Sequence, residues 1–535
     1  MKTNIQLHLL PGEETDEALI QRKIRAALAE KGIRISPNET ITPVLAKKSI
    51  DARKGRVRIV QSWTIYSNGE TPSTGDLPVW KKADPRKRVL IVGAGPAGLF
   101  AALRLLENGI TPVIVERGRE CARRKRDIAA ISRDGVLDTD SNYCFGEGGA
   151  GTFSDGKLYT RSNKRGNIGK VLSILVHHGS DPAILTDAHP HIGSEKLPAI
   201  ITAIRTTITS LGGEFHFGCR CTGLLLERGM VNGITVRAQD AESDSKLLAD
   251  AVILATGHSA NDVYDMLLSL DPCPLEPKPF AIGVRCEHPR QLIDRIQYHG
   301  RREIDRLPAA EYRLVTQVAD RGVYSFCMCP GGFVVPAATA NDGLVVNGMS
   351  AAGRNSRWSN AAIVVEVREE DIPEEYRLKD TRGEAGAGLR FREAIEQKAK
   401  QEGDGQRAPA QRLTDFLAGR LSDSLPETSY TGGVVSSRLD QWLPEYVTKR
   451  LKEGFRFFDS RMHGFITGEA LLIAPETRTS APVRIVRNPG TFESMHYKRL
   501  YPAGEGAGYA GGIVSSAMDG EKCAEAVSSL FPQIP

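Results

Sequence analysis

The stretch RVLIVGAGPAGLFAALRLLENGITPVIVERG constrains the fold of this chain more than any other. An apolar run, residues 89–92, leads directly into the pattern G-x-G-x-x-G at residues 93–98. Apolar residues then recur at helical spacing, and a second apolar run ends in Glu116. An acidic residue about twenty positions after the glycines completes the pattern of a dinucleotide-binding βαβ unit. The segment therefore predicts a strand, a glycine turn, a helix and a second strand.

Each residue type in this unit has a physical reason. Gly93 permits the tight turn, Gly95 lets the backbone approach a pyrophosphate, and Gly98 allows the helix to pack closely on the strand. The helix N-terminus offers free N–H groups and the positive end of its dipole to the diphosphate. Glu116 is able to accept hydrogen bonds from ribose hydroxyls. The predicted cofactor contacts in this unit are Gly93, Gly95, Pro96, Ala97, Gly98 and Glu116.

The turn alone does not distinguish FAD from NAD, but two later segments favour FAD. Residues 250–260 are an apolar strand that ends in A-T-G, and residues 500–526 are a strand, a glycine-rich turn and a helix. This order resembles FAD-binding proteins of the glutathione reductase type, in which the last segment meets the flavin. Glu505 stands where that type more often has aspartate. The resemblance implies contacts from Ala255, Thr256, Gly257, Gly504, Glu505, Gly511, Gly512 and Ile513.

A glycine-rich segment, residues 142–161, is a further candidate for contact with the flavin. Five of its glycines fall within eleven positions, a density typical of backbone packed close to a flat ligand or a diphosphate. Phe145, Phe153 and Leu158 would anchor the segment, whereas the alternative is a flexible surface loop. The basic run 117–126 follows Glu116 and is either a solvated face or a neutraliser of the FAD diphosphate. The contacts predicted from these two segments and from one later cysteine are Arg117, Arg124, Gly149, Gly151, Lys157 and Cys221.

Four motifs carry a closer resemblance. FGEGGAGTFSDGKLYTR, CMCPGGFVVPA, ETRTSAPVRI and LYPAGEGAGYAGGI together resemble a family of uncharacterized FAD-dependent dehydrogenases with an extra N-terminal domain. KSIDAR, residues 48–53, is similar to that N-terminal domain. The resemblance covers most of the chain and implies FAD as the cofactor, but it brings no substrate.

The predicted fold class is α/β. It comprises a doubly wound, Rossmann-like FAD-binding domain, a discontinuous mixed α+β substrate domain and a small N-terminal α/β domain. The predicted boundaries are residues 1–80 for the N-terminal domain, 86–270 and 465–535 for the FAD-binding domain, and 271–464 for the substrate domain. Four prolines in residues 271–280 indicate the crossing into the substrate domain, because they cannot continue a helix or a central strand. The charged segment 369–412 predicts a surface helix flanked by mobile loops.

The candidates on the substrate side rest on residue type alone. Arg285, Glu287 and His288 follow a strand-like run and either line the open face of the flavin or form a solvated strand end. In the first case His288 would donate or accept a proton. Cys327 and Cys329 form a C-x-C pair of possible redox thiols, although a direct disulfide between them is expected to be strained. Two further candidates are Arg478 and Arg484. They would hold an anionic substrate or a negatively charged flavin, or serve as buried salt-bridge partners.

Composition excludes several classes of protein. The 535 residues are 41% hydrophobic and 25% charged, as in ordinary globular proteins. The net charge of +5 is too balanced to imply a nucleic-acid partner, and the basic run lacks interleaved aromatic residues that would stack on bases. No apolar run approaches the ~20 residues of a membrane span. With no secretory signal evident, the interpretation is a cytoplasmic protein whose nine cysteines are reduced.

The same residues limit the chemistry. No metal site is predicted, because the cysteines lack C-x2-C clustering and His189 and His191 lack a cysteine partner nearby. No second nucleotide turn and no C-x4-C pair near the first motif are found, which disfavours a disulfide reductase. The sequence predicts a FAD-dependent oxidoreductase that acts on a small-molecule substrate or electron carrier, with NAD(P)H docking transiently. The alternatives are a non-catalytic flavin-binding regulatory module and a flavin monooxygenase.

Overall fold

A computed structural model describes residues 2–33, 41–67, 70, 77–160, 166–300, 305–377 and 384–531. Its α-helices are α1 Glu17–Glu30, α2 Pro96–Glu107, α3 Cys121–Asp134, α4 Ile168–His177, α5 Leu197–Ser210, α6 Asn261–Leu268, α7 Arg290–Gln297, α8 Ala387–Glu402, α9 Leu413–Ala418, α10 Leu439–Trp442, α11 Glu445–Arg461 and α12 Ile513–Ser528. Its first strands are β1 Lys2–Leu9, β2 Ile41–Asp51, β3 Arg58–Ser67, β4 Asp84–Val92, β5 Ile110–Val115, β6 Glu214–His216, β7 Cys219–Glu227, β8 Met230–Ala238, β9 Ser245–Leu248, β10 Ala251–Leu254 and β11 Leu275–Pro277. The later strands are β12 Phe280–Pro289, β13 Val315–Val318, β14 Arg321–Cys329, β15 Phe333–Pro336, β16 Val346–Met349, β17 Trp358–Val367, β18 Ala408–Arg412, β19 Val434–Ser436, β20 Leu471–Glu476, β21 Val483–Ile485 and β22 Leu500–Pro502.

The predicted strand–turn–helix–strand unit forms as β4, α2 and β5 at the centre of a parallel sheet. The strand order of this sheet is β22-β10-β4-β5-β6. Every residue of β5 is buried, as expected for a parallel strand that is covered on both faces. One face is covered by α2, α4, α5 and α12, and the other by the three-stranded sheet β7-β8-β9 and by α6. The Rossmann-like α/β arrangement is therefore present.

A seven-stranded sheet follows, in the order β13-β14-β17-β12-β20-β18-β19. Its neighbours are antiparallel except for β18 and β19. A core rich in phenylalanine lies between this sheet and α11. The strand β20 begins after the predicted domain boundary at residue 465, yet it pairs with β12 and β18. The chain returns to the parallel sheet only at β22. The sequence did not reveal this, because the buried apolar run of β20 does not specify which sheet the strand joins.

The N-terminal segment forms an antiparallel sheet in the order β1-β3-β2, packed against α1. The sequence predicts β1, α1 and β3 but not β2. Most side chains of β2 are only partly buried, so this strand lacks the clear alternation of apolar and polar residues that signals a half-buried strand. Two short two-stranded sheets, β11-β21 and β15-β16, complete the described sheets.

The prediction of a surface helix in residues 369–412 is wrong. The helix forms as α8, but half of its residues are buried. The charged residues Arg392 and Glu396 are among them, because Glu396 pairs with Arg478 at 2.8 Å inside the protein. Of the flanking segments that were predicted to be mobile, residues 378–383 lie outside the described residues.

Candidate functional site

Glycines from separate segments meet at the carboxyl ends of the parallel strands. Gly93 has φ +105°, and a Cβ atom there would lie 2.4 Å from the carbonyl oxygen of Ala255. A Cβ atom on Gly149 would lie 3.0 Å from the Cα atom of Gly95. The nucleotide turn, the A-T-G segment and the glycine-rich segment are therefore packed backbone against backbone. We call the space that they border the crevice.

The C-terminal glycine segment reaches the same place. A Cβ atom on Gly504 would lie 2.9 Å from the Cβ atom of Ala97 in α2, and Ile513 contacts the position of a Cβ atom on Gly151 at 3.3 Å. Since β22 also pairs with β10 and β10 pairs with β4, residues more than 400 positions apart in sequence line one crevice. The convergence expected for a cofactor bound by several segments is present.

The crevice fits an extended dinucleotide. Gly95 and Gly512 directly precede α2 and α12 and provide no side-chain cap. The free N–H groups in the first turn of each helix are therefore available to an anion. A Cβ atom on Gly257, Gly511 or Gly512 would meet nothing within 4 Å. By contrast, a Cβ atom on Gly98 would lie 2.0 Å from the carbonyl oxygen of Gly93. The crowding at the turn is what close packing below a diphosphate requires. The open space near α12 leaves room for a flavin.

Glu116 holds the turn together. Its Oε2 atom accepts a hydrogen bond from the N–H of Ala94 at 2.9 Å, and its Oε1 atom accepts from the N–H groups of Gly118 and Gly146, each at 2.9 Å. The side chain is buried. Because a carboxylate has about four acceptor positions, one position on Oε2 remains. The contact between Glu116 and a ribose hydroxyl stays a prediction, and it would use this remaining acceptor position.

The prediction that Arg124 contacts the diphosphate is wrong. Its guanidinium is fully buried and donates to the carbonyl oxygens of Asn142, Tyr143 and Glu147 at 2.7–2.9 Å. Each nitrogen of the guanidinium thus donates to a backbone carbonyl oxygen, and no part of the side chain is exposed. Arg124 therefore fixes the backbone of the glycine-rich segment, and burial lowers the pKa of its guanidinium.

Arg117 and Cys221 both lie near Asp262. Arg117 pairs with Asp140 at 2.7 Å and with Asp262 at 2.8 Å, and its guanidinium lies 4.2 Å from the ring centre of Phe145. Cys221 is buried in β7, and burial, assisted by the charge of Asp262, raises the pKa of its thiol to about 12. Cys221 therefore stays protonated. Contacts of Arg117 and Cys221 with FAD remain predictions.

Glu505 carries the carboxyl group of the C-terminal segment. Its side chain is 24% exposed, and its Oε1 atom lies 3.8 Å from Nε2 of His258. Burial raises the pKa of Glu505 to about 7, against the opposing charge of Lys278. Burial and the nearby charge of Arg392 lower the pKa of His258 to about 3. At neutral pH His258 is therefore uncharged, and Glu505 is poised to take or release a proton.

Replacing Glu505 with glutamine is expected to remove part of the pH dependence of stability. Because the pKa of Glu505 rises from 4.5 to about 7 on folding, the folded state binds the proton more tightly. The proton therefore adds to the free energy of unfolding. This stabilisation is complete below pH 4.5 and is lost as the pH rises through 7, at up to ~1.4 kcal/mol per pH unit. Urea unfolding of the apo protein across this range measures it. The prediction fails if wild type and variant show the same slope.

His288 does not line the open face of a flavin. The residue is fully buried in β12, its Nε2 atom lies 2.9 Å from the carbonyl oxygen of Phe465, and burial lowers the pKa of the imidazole to about 4. Glu287 is also buried and bonds to Ser429. The alternative of a solvated strand end is wrong as well, because β12 lies in the middle of its sheet. The charged residues of β12 do not reveal that this strand lies at the centre of a sheet.

Two of the remaining arginines are internal structural groups. Arg285 is fully buried and donates through Nε and Nη2 to the same oxygen of Glu476 at 2.7–3.0 Å. Arg478 pairs with Glu396, as the salt-bridge alternative predicts. Arg484 instead pairs with Glu276 at 2.9 Å near the surface, where its side chain is 41% exposed. An anionic substrate site at Arg478 is therefore not supported.

Lys157 and the C-x-C pair lie together, which the sequence did not predict. The Nζ atom of Lys157 lies 3.9 Å from the sulfur of Cys327 and 3.7 Å from that of Cys329. It also pairs with Asp155 at 2.9 Å. The sequence assigns Lys157 only to the cofactor, and nothing in the spacing links residues 157 and 327. We call Lys157, Cys327 and Cys329 the thiol cluster.

Two residues that bear on the crevice were missed. Tyr264 is buried in α6, and its hydroxyl donates to the carbonyl oxygen of Gly506 at 2.8 Å, which fastens the C-terminal segment. His258 follows the A-T-G segment directly, and that position is the signal that could have identified it.

Among the described residues, no helix is long and apolar enough to cross a membrane. The same residues hold no group of three or more possible metal ligands.

Three family descriptions match the chain. "FAD-dependent protein, C-terminal domain-like" matches residues 279–479, "FAD binding domain" matches residues 86–133, and a domain of unknown function matches residues 1–66. The second match covers β4, α2 and β5, which border the crevice. FAD is therefore the cofactor, and the prediction from the sequence is confirmed.

Similar solved structures include two whose descriptions mention FAD or a flavin and one that is described as reductase-like. CtdE in complex with FAD is 12% identical, with 82% of this chain and 87% of that chain covered and a TM-score of 0.32. A geranylgeranyl bacteriochlorophyll reductase-like protein from Thermoplasma acidophilum is 12% identical, with 83% and 79% covered and a TM-score of 0.33. A variant of the flavin-dependent brominase Bmp2 is 12% identical, with 83% and 80% covered and a TM-score of 0.36.

A much closer relative is a protein of Clostridium beijerinckii that is described as uncharacterized. It is 41% identical over 451 residues, which are 83% of this chain and 81% of that protein. At this identity and coverage, the chain belongs to the same family as this Clostridium beijerinckii protein.

Proposed function

We propose that the protein is a FAD-dependent oxidoreductase that acts on a small-molecule substrate or electron carrier. Convergence of the nucleotide turn, the glycine-rich segment and the C-terminal glycines on one crevice carries the proposal. In this arrangement residues 93–98 hold the ADP half and residues 511–513 meet the flavin, as the resemblance to proteins of the glutathione reductase type implies, and residues 149–151 contact the flavin as well. Bound FAD supplies hydride and electron transfer at N5 of the flavin.

The chain's own groups support turnover rather than storage of the cofactor. The N-terminus of α12 directs free N–H groups and the positive end of its dipole into the open part of the crevice, where they favour negative charge. Glu505 has a pKa of about 7, close to that of an effective acid or base at neutral pH. Groups of this kind are useful to a reaction that moves protons with electrons, and a binding module does not need them.

The proposal assigns a division of labour to the sheets. The parallel sheet, from residues 86–270 and the C-terminal segment, binds FAD. The seven-stranded sheet, from residues 271–464 together with β20, forms the substrate side. The N-terminal domain, residues 1–80, stays without an assigned role. Since the sequence shows no second nucleotide turn, a pyridine nucleotide would dock transiently from outside rather than occupy a site of its own.

The purified protein is expected to be yellow, and FAD released from it by denaturation should approach one per chain. After anaerobic photoreduction, one class of electron acceptor should reoxidise the flavin much faster than the others do. Absorbance at the flavin bands follows both steps.

Each alternative has its own signature in this experiment. Inertness to every acceptor would support a regulatory module. NAD(P)H consumption that requires oxygen and is stimulated by a substrate would support a monooxygenase. A colourless protein that does not take up added FAD would overturn the proposal.

A further inference from the structure

An unusual backbone conformation lies within the thiol cluster. The register between β14 and β17 shifts between Phe326 and Cys329, and Cys327 has φ +45°. A residue other than glycine rarely adopts this left-handed conformation, and it persists only when the surroundings hold it in place. Such outliers concentrate at functional sites. We call this irregularity in β14 the bulge. Because of it, the backbone of Cys327 is not extended as it would be in a regular strand.

The two sulfurs differ in accessibility. Cys327 is partly exposed, whereas Cys329 is fully buried. The Sγ atom of Cys329 lies 3.3 Å from the carbonyl oxygen of Cys327, so the buried thiol is directed back along the bulge toward its neighbour. Cys327 is therefore the more accessible of the two residues, and both sulfurs lie within 3.9 Å of the same ammonium nitrogen of Lys157.

Charged groups around the pair favour a thiolate on Cys327. A hydrogen bond from Cys329 and the positive charges of Lys157 and Arg285 hold the pKa of Cys327 well below its ordinary value. The pKa of Cys329 is correspondingly raised well above the ordinary value. The charged and titratable groups that act on the pair from the surrounding segments are Asp155, Lys157, Arg285, Tyr312, Glu476 and Glu505.

The cluster lies within electrostatic range of a residue of the C-terminal glycine segment. Lys157 belongs to the glycine-rich segment, in which Gly149 and Gly151 contact the nucleotide turn and α12. The charge of Cys327 also contributes to the raised pKa of Glu505, so the sulfur lies within electrostatic range of the C-terminal segment. The pair is therefore placed on the side of the fold where redox chemistry is proposed.

We propose that Cys327 and Cys329 form a redox-active pair that exchanges with low-molecular-weight disulfides, with Cys327 as the attacking sulfur and Cys329 as the resolving sulfur. The Cys327 thiolate attacks one sulfur of the incoming disulfide, whose S–S bond breaks to release one half as a thiolate. Cys329 then gives up its proton and attacks Cys327, which releases the other half as a thiol. The incoming disulfide gains two electrons, and the pair loses two as its own S–S bond forms.

Lys157 is a positioning residue in this scheme. Its ammonium group stabilises the Cys327 thiolate before the attack, as basic groups do beside reactive cysteines. Its pairing with Asp155, which is itself held by Arg354 at 2.8 Å, fixes the position of the ammonium group. The exchange uses only residues of the cluster and does not depend on the proposed role of the flavin.

Alkylation of the full-length holoprotein tests the reactive sulfur. The protein is reduced, desalted without oxygen and pulsed with iodoacetamide at a series of pH values. Tryptic peptide 322–354 contains both cysteines of the pair and no other. Near pH 6, Cys327 should react at least ~10-fold faster than Cys144 and Cys273, the other partly exposed cysteines. Equal rates would overturn the proposal.

Glutathione disulfide tests the resolving step. In wild type, peptide 322–354 should lose two hydrogens without gaining glutathione. The Cys329→Ser variant should stop with glutathione bound to Cys327, and Cys327→Ser should not react. An adduct that persists on wild type, or no reaction at all, would overturn the exchange.

The lysine variants separate a charge effect from a structural one. Lys157→Gln should shift the alkylation profile of Cys327 to higher pH, whereas Lys157→Arg should keep it near that of wild type. An unchanged profile in Lys157→Gln would remove Lys157 from the scheme. FAD content, measured by absorbance on the same samples, shows separately whether the proposed flavin function holds.

Discussion

Replacing Gly98 with alanine is expected to weaken FAD binding by ~10–100-fold. The added Cβ atom would lie 2.0 Å from the carbonyl oxygen of Gly93 and 3.1 Å from Cγ2 of Ile91. The nearer of these is a backbone atom of the nucleotide turn, so α2 has to move away from β4. Overpacking of this kind costs ~1–3 kcal/mol, and ~1.4 kcal/mol corresponds to a tenfold change in affinity. Quenching of FAD fluorescence by the apo protein measures the change.

A matched glycine provides the control. A Cβ atom on Gly468 would meet nothing within 4 Å, and this residue precedes β20 in the seven-stranded sheet. Gly468→Ala should therefore bind FAD as wild type does. If Gly98→Ala bound FAD with wild-type affinity, the cofactor would not lie on the turn at residues 93–98.

Replacing Arg285 with methionine is expected to lower the free energy of unfolding by ~3–5 kcal/mol, because it leaves the buried carboxyl of Glu476 without its charged partner. Arg285 has no exposed surface, and Glu476 is 1% exposed. Asn347 and the carbonyl oxygen of Cys327 also lose their donor. The midpoint of urea unfolding, followed by circular dichroism, measures the loss.

Two further variants show whether the buried carboxyl is the cause. Adding Glu476→Gln to Arg285→Met should recover part of the loss, because the remaining group is neutral. Arg53→Met breaks an ion pair with Asp51 in which the arginine is 86% exposed, and it should change stability by less than ~1 kcal/mol. Equal losses for Arg285→Met and Arg53→Met would contradict the assignment.

The crevice could be predicted because its residues act through local backbone geometry. Gly98 is needed for a steric reason that depends on Gly93, five positions away, and Gly93 is needed because the turn itself requires a φ of +105°. The A-T-G segment and the C-terminal glycines each follow a short apolar strand, and the carboxyl ends of parallel strands meet at one edge of a sheet. Pattern and position were therefore sufficient for this part of the site.

Buried charges could not be predicted in the same way. Arg124, Arg285 and His288 belong to residue types that are normally exposed, and their burial depends on partners far away in sequence. Glu476, for example, comes from β20, a strand that joins a different sheet from the one expected. Likewise, the approach of Lys157 to Cys327 depends on how the glycine-rich segment packs against β14. Such pairings follow from tertiary packing, which no local spacing encodes.

The late position of β22 and α12 has a consequence for biosynthesis. Domains tend to fold in order as the chain emerges from the ribosome, and here the entire seven-stranded sheet is made between the two halves of the crevice. The growing polypeptide must therefore carry an open, glycine-lined groove until residues 500–528 have been translated. Cofactor loading becomes a late event in the life of the nascent chain, and a cell short of flavin would accumulate molecules in which this groove stays unfilled.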